Sequence, residues 1–223
     1  MRLGAETKVY AAGLKVELAI TFFKPGDVCA VDRYAPSMVK WILDSGRDSF
    51  VALFGNESIA AQNLASWIRR SDSEFSGLCS TLAILDDIAM AILVALPGKL
   101  IARRRRADML ALIKAANPTQ RAGLKENLQR LVGLTAPVGE RDYYIRALTV
   151  DSAYRGHGVG KKLLERALID GRASDCERVR LDVQTDNQAA LHLYRRFGFQ
   201  PIHKGETREL GFAVYSMVLP INL

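Results

Sequence analysis

Apolar and polar positions alternate from Val16 to Phe22, with Val16, Leu18, Ile20 and Phe22 on one face and Glu17, Ala19 and Thr21 on the other. That period of two predicts a half-buried strand, and residues 1–14 before it read as a flexible leader. The period then lengthens. Met38, Val39, Ile42 and Leu43 share one stripe of a helix opened by Pro36, and Ala60, Leu64, Trp67 and Ile68 share another, so two helices are expected. The stretch "STLAILDDIAMAILVALPG" reads as two strands joined at Asp86 and Asp87 and ended by Pro97 and Gly98.

Residues 101–138 hold two further helical patterns, one through Met109, Leu110, Ile113 and Ala116, the other through Leu124, Leu128, Leu131 and Val132, divided by Asn117 and Pro118. Alternation returns at "DYYIRALTV". A glycine turn follows it, then a helix with Leu163, Leu164, Ala167 and Leu168 on its stripe, then the strand "RVRLDV". A short helix from Asn187 to Phe197, closed by Gly198, and a last strand over Phe212–Leu219 complete the pattern.

Composition narrows what such a chain does. With 223 residues and 49% apolar content it can bury a substantial core as one domain. The longest apolar run, "IAMAILVAL" at Ile88–Leu96, is too short to span a bilayer, and the N-terminus has no export-signal pattern; a soluble cytoplasmic protein is expected, with no membrane partner. Cys29, Cys79 and Cys176 are too far apart for a zinc site or a disulfide framework, so neither metal nor staple is expected. The net charge of +7 would suit a polyanion, but the one basic run, Arg103–Arg106, lacks interleaved aromatics to stack on bases. It reads as a solvated helix start, and nucleic acid is disfavoured as a partner.

The candidate chemistry lies in "YRGHGVGKKLLERAL", Tyr154–Leu168. A Walker loop needs glycine five residues before the Gly-Lys pair and Ser or Thr after it, where this chain has Arg155 and Lys162. A dinucleotide loop needs G-x-G-x-x-G, whereas Gly156, Gly158 and Gly160 are spaced two and two. Asp182 lies at a suitable distance for a ribose contact but falls mid-strand. The remaining pattern is Arg-x-x-Gly-x-Gly written as Arg155, Gly156, His157, Gly158, Val159 and Gly160, with Lys161 following. Small residues there let the backbone approach a pyrophosphate, and the first turn of the next helix offers free N–H groups at its positive dipole end.

This loop, placed after the triplet Leu148, Thr149 and Val150, resembles the pyrophosphate loop of the GNAT superfamily of acyl-CoA-dependent N-acetyltransferases. A second match is "LDVQTDNQAALHLYRRFGF", Leu181–Phe199, which is similar to the family's downstream motif. The resemblance implies a single α/β domain over residues 15–223: a mixed, mostly antiparallel twisted sheet with helices on both faces. Residues 101–138 then form a helical insertion before the central strand, where the family has a short connection. Its apolar stripes need cover, as a lid on the acceptor side or from a second subunit in a homodimer.

The function so implied is transfer of the acetyl group of acetyl-CoA to a primary amine of a small molecule or peptide, by direct attack in a ternary complex. A non-catalytic acyl-CoA sensor on the same fold is the alternative. By resemblance, acetyl-CoA meets Leu148, Thr149, Val150, Arg155, the loop Gly156–Lys161 and Asn187. His157 is expected to face solvent within that loop. Tyr194 takes the role of general acid at the departing sulfur, since a phenol of pKa about 10 is protonated at neutral pH. Asp182 takes the role of base, with Glu140 and Asp142 as substitutes; packing, capping and solvation are the plain alternatives for Tyr194, Asn187 and Asp182 respectively.

Overall fold

The computed structural model describes the backbone of residues 2–11, 14–207 and 209–221, and the side chains of those spans from residue 20 onward. The alternating segment at the start is β2, Leu14–Phe23, and Arg2–Ala11 runs antiparallel along it as β1. The leader reading is corrected for residues 2–11 and for Leu14, which begins β2, because β2 has an edge whose backbone groups need partners whatever the side-chain pattern beside it. Residues 1, 12 and 13 of that leader lie outside the described residues.

Helix α1, Val28–Ser45, starts well before Pro36, because Asp27 accepts the N–H of Ala30 at 2.8 Å and caps the first turn; Pro36 sits inside the helix. The second expected helix is α3, Glu57–Trp67, capped by Asn56, and a short helix that the apolar stripes do not announce, α2, Arg47–Phe54, lies before it between Gly46 and Gly55. Strands β3, Ser80–Leu85, and β4, Ile88–Pro97, meet at Asp86 and Asp87, whose φ values of 48° and 64° make the expected tight turn. The region read from the sequence as a helical insertion forms α4, Ile101–Ala115, and α5, Pro118–Arg130, with Asn117 and Gln120 closing a reciprocal capping box. Its expected stripe is shifted: Leu112 is buried, whereas Leu110 and Ile113 are exposed.

The remaining elements are β5, Asp142–Val150; α6, Val159–Ala173; β6, Arg178–Gln184; α7, Gln188–Phe197; β7, Gln200–Thr207; and β8, Phe212–Pro220. Strand β7 has no counterpart in the apolar pattern, since it is an edge strand exposed along most of its length. The sheet order is β1-β2-β3-β4-β5-β6-β8-β7, and only β5 and β6 run parallel. Helices α6 and α7 pack through Leu163, Leu164, Leu191 and Tyr194 on one face. Helices α1–α3 pack through Met38, Ile42, Phe50 and Leu64 on the other, where α4 adds Leu112. The mixed, mostly antiparallel α/β sheet between two helical layers is the architecture expected from the sequence. No helix among the described residues is long and apolar enough to cross a membrane.

Candidate functional site

Two irregularities in β5 make a cleft in the middle of the sheet. Against β4 the register slips between Val94↔Ala147 and Ala95↔Ile145, so Arg146 is an extra residue, a β-bulge. The bulge reverses the facing of the strand: Tyr143 and Ile145 point to the α6–α7 core before it, Leu148 and Val150 after it. Against β6, pairing runs from Asp142↔Arg178 to Ile145↔Leu181 and stops. Beyond that point the two parallel strands part like a fork, and the β6-facing edge of β5 has no strand partner.

A cavity of about 430 Å³ fills one side of this fork. Leu148, Thr149 and Val150 line it from β5, and Thr149 is anchored by donating its hydroxyl to the carbonyl of Trp41 at 2.8 Å. Gly156 and Gly158 both have positive φ, 80° and 79°, so the loop turns as only glycine does without strain and delivers the chain into α6. Lys162 N–H is the first to bond within the helix, to the carbonyl of Gly158, which leaves the amides of Val159, Gly160 and Lys161 without intrahelical acceptors. Gly160 lies so close to α7 that an added Cβ would stand 3.1 Å from Leu193 Cδ2.

The sequence-derived loop residues converge here with one correction. Arg155 lines the cavity and is steadied by donating from Nε to the carbonyl of Val150 at 3.1 Å. Val159 and Lys161 line it as well, while the Lys161 side chain leans along the helix toward Glu165 at 3.8 Å. His157 does not face solvent as expected: it is half-buried, its Nδ1 is shielded without a partner, and it is not among the cavity's lining residues. Asn187 caps α7 by accepting the N–H of Ala190 at 3.1 Å and also lines the cavity, so capping and lining coexist.

Tyr194 reaches the same cavity from α7, packed beside Phe199. Burial pushes its phenol up to about 12, so it is protonated across the neutral range. Asp182 sits on the other prong of the fork. Its Oδ1 accepts from Arg180 and from Ser216, each at 2.7 Å, and its Oδ2 accepts from Tyr144 at 2.6 Å. The substitutes for it fall away. Asp142 is buried at the closed end of β5, accepting from Gly139 N–H and paired with Arg178, and exposed Glu140 lines neither cavity described here.

A second cavity, of about 320 Å³, opens on the opposite side of the fork and shares Ser45, Ile145, Arg146, Asp182, Val183 and Gln184 with the first. The sequence reading missed the charged groups around it. Glu74 Oε2 lies 3.3 Å from both Arg105 Nη2 and Arg146 Nε, and the Arg146 guanidinium stands over the Phe75 ring at 4.4 Å. Burial opposes the charge of Arg146, but Glu74 and the Tyr144 hydroxyl more than offset it and raise its pKa above the usual arginine value. Burial also pushes the Asp108 carboxyl up to about 6, although it accepts from Ser73 and from the amide of Glu74, each at 3.0 Å. Half of the basic run is therefore tied down rather than free in solvent: Arg104 and Arg105 reach back to residues 73–79. One sign of this was visible, the arginine inside an otherwise apolar central strand.

Residues 101–199 match the model of the acetyltransferase (GNAT) family. N-alpha-acetyltransferase 30 of Saccharomyces cerevisiae is 45% identical over 56 residues, which are 25% of this chain and 32% of that protein. N-alpha-acetyltransferase RimI of Mycobacterium tuberculosis is 42% identical over 71 residues, 32% of this chain and 41% of that protein. The chain thus spans a third to two fifths of the length of these two relatives. A chain in the crystal structure of the NatC complex bound to Gag peptide and CoA superposes with a TM-score of 0.55 at 17% identity, covering 91% of this chain and 99% of that one, which shows a shared fold.

Proposed function

We propose that this chain, whose residues 101–199 match the model of the acetyltransferase (GNAT) family, moves the acetyl group of acetyl-CoA to a primary amine by direct attack within a ternary complex. The observation that carries this reading is the fork between β5 and β6, with a glycine-lined helix start on one side and a separate cavity on the other. Two reactants can enter from opposite sides and meet at the unpaired edge of β5, which converts an encounter of two molecules into a reaction between positioned neighbours.

In this reading the pyrophosphate of acetyl-CoA rests on the amides of Gly156–Lys161 with Arg155 beside it. The pantetheine arm lies along Leu148, Thr149 and Val150 toward Asn187. Free backbone N–H groups of Leu148 and Val150 hydrogen-bond the arm and the acetyl oxygen, where negative charge develops. The amine nitrogen forms a bond to the carbonyl carbon, the carbon–sulfur bond breaks, and the electron pair leaves on sulfur, which takes a proton from Tyr194. Asp182, the carboxylate that reaches both cavities, takes the ammonium proton directly or through water. The names of the relatives favour an amino terminus among primary amines, and a cytoplasmic setting goes with that assignment.

Free-thiol release from acetyl-CoA, followed with a panel of amines, tests the proposal. Release that depends on both substrates is expected. Tight acetyl-CoA binding with no release for any amine would leave the sensor reading instead.

A further inference from the structure

The second cavity has a composition that selects among amines. Its wall is aromatic and aliphatic: Phe50, Trp67 and Phe75 form one contiguous set, with Trp67 and Phe75 stacked at 5.6 Å and Phe50 at 5.4 Å from Phe75. Met109 from α4, Leu128 from α5 and Leu131 just after it close the other side. Helices α4 and α5 thus supply apolar wall, and α4 also brings the two charged groups Arg105 and Asp108.

The charged groups that line it are already matched. Its three carboxylates each face an arginine: Glu74 faces Arg105 and Arg146 at 3.3 Å, Asp108 faces Arg70 at 3.4 Å, and Asp182 faces Arg180 at 2.7 Å. A second cation on the acceptor would find no spare carboxylate there. An anionic group would have to displace Glu74 from the same arginines, at the cost of leaving a buried charge unpaired. A volume of about 320 Å³ lies at the low end of the range of about 300–1,000 Å³ for ligand pockets, enough for one side group of substantial size.

We propose that this cavity receives the acceptor, and that the acceptor is a primary amine whose amine-bearing carbon carries one bulky, uncharged hydrocarbon group. The inference rests on the acetyl-transfer reading and specifies its second substrate. The hydrocarbon group lies against Phe75, Trp67 and Leu128, and the amine points into the fork toward Asp182. The same chemistry is offered by a peptide whose first residue is leucine or phenylalanine and by a free alkyl- or arylalkylamine. At the mouth, Val132 is 80% exposed yet lines the cavity, giving a longer acceptor an apolar surface to follow outward.

The test is thiol release from acetyl-CoA with short peptides beginning Leu, Phe, Gly, Ser or Glu, and with phenethylamine, isoamylamine and spermidine. The Leu and Phe peptides or the two apolar amines are expected to exceed Gly and Ser peptides in kcat/KM by at least about 10-fold, the discrimination that an apolar pocket supplies per missing group or two. Comparing peptides with free amines identifies the source. Leu128→Glu should raise the KM of the apolar acceptor about 10-fold while the stabilisation of the protein by acetyl-CoA stays as in the parent. If that variant does not fold, the exposed Val132→Glu serves in its place, with a smaller rise in KM expected. Spermidine or the Glu peptide as best substrate, or equal rates across the panel, overturns the inference and leaves acetyl transfer standing. No release with any amine overturns both.

Discussion

Tyr144 of β5 donates its hydroxyl to Asp182 of β6 at 2.6 Å, beside the last paired residues of the two strands. The bond braces the crotch of the fork, and it does so from a buried ring whose phenol burial pushes up to about 12. Asp182 is held as well by Arg180, a fully buried arginine that also donates to the carbonyls of Leu181 and Ala136. The cleft therefore opens from a rigid base, which the proposed entry of two substrates would require.

Removing that brace gives the first prediction. Tyr144→Phe keeps the ring but leaves Asp182 with two donors in place of three, and hydrogen bonds to charged groups contribute about 1.5–3 kcal/mol. Urea denaturation should show a loss of stability in that range with an unchanged slope. A loss under about 0.5 kcal/mol would mean that the two prongs are held without it.

The second prediction concerns the glycine loop. Gly158 has φ of 79°, where no atom lies within 4 Å of an added Cβ. The penalty for a side chain is thus conformational rather than steric, about 1–2 kcal/mol for an ordinary residue and more for a β-branched one. Gly158→Val should fold with a lowered Tm yet lose the stabilisation that acetyl-CoA gives, because the turn can no longer present its amides to a pyrophosphate. Retained acetyl-CoA binding would place the phosphates elsewhere.

Much of the frame was legible because its signals are local. The Asp86–Asp87 turn, the Asn117 break and the Gly198 cap are each set by neighbours in sequence, and so is the glycine loop. The strands β1 and β7 were not, since an edge strand is recruited by the free backbone of its neighbour and needs no apolar alternation of its own. The start of α1 was misplaced because Pro36 looked like an opening, whereas the cap at Asp27 sets it. The groups around the second cavity were hidden for a different reason. Glu74, Asp108 and Arg146 are far apart in sequence, the nearest two separated by 34 residues, and only the packing of α4 against the loop before β3 brings them together. The shift in facing at Arg146 depends on a bulge, which no hydrophobic period reports.

Asp108 supplies a prediction about pH. Its carboxyl is raised to about 6 chiefly by burial, against 3.8 in the unfolded chain, with Arg70, Ser73 and the Glu74 amide only partly compensating. Between those two values the folded state holds more protons than the unfolded one, so this group's contribution to stability falls as pH rises through the window. A difference of that size between the folded and unfolded states corresponds to about 3 kcal/mol. Asp108→Asn, which can still accept one hydrogen bond, should therefore gain stability relative to the parent between pH 4 and 7, by up to about that amount. Parallel denaturation curves at the two pH values check it, and a difference independent of pH would show that Asp108 ionises in place at no cost.

The last prediction tests Tyr194. The thiol of coenzyme A is an alkyl thiol, so its pKa lies near the cysteine reference of about 8.5 and the thiolate is a tolerable leaving group even without a proton. General acid catalysis by the buried phenol is then a help rather than a requirement. Tyr194→Phe should lower kcat by about 100-fold, the low end of the usual contribution, with acetyl-CoA affinity nearly intact because the ring still packs beside Phe199. Since burial holds the phenol near 12, its own deprotonation should cause no loss of rate below about pH 10, and any alkaline limb in that range should persist in the variant. An unchanged kcat with a fallen Tm would make Tyr194 a core aromatic and assign the proton on sulfur to water.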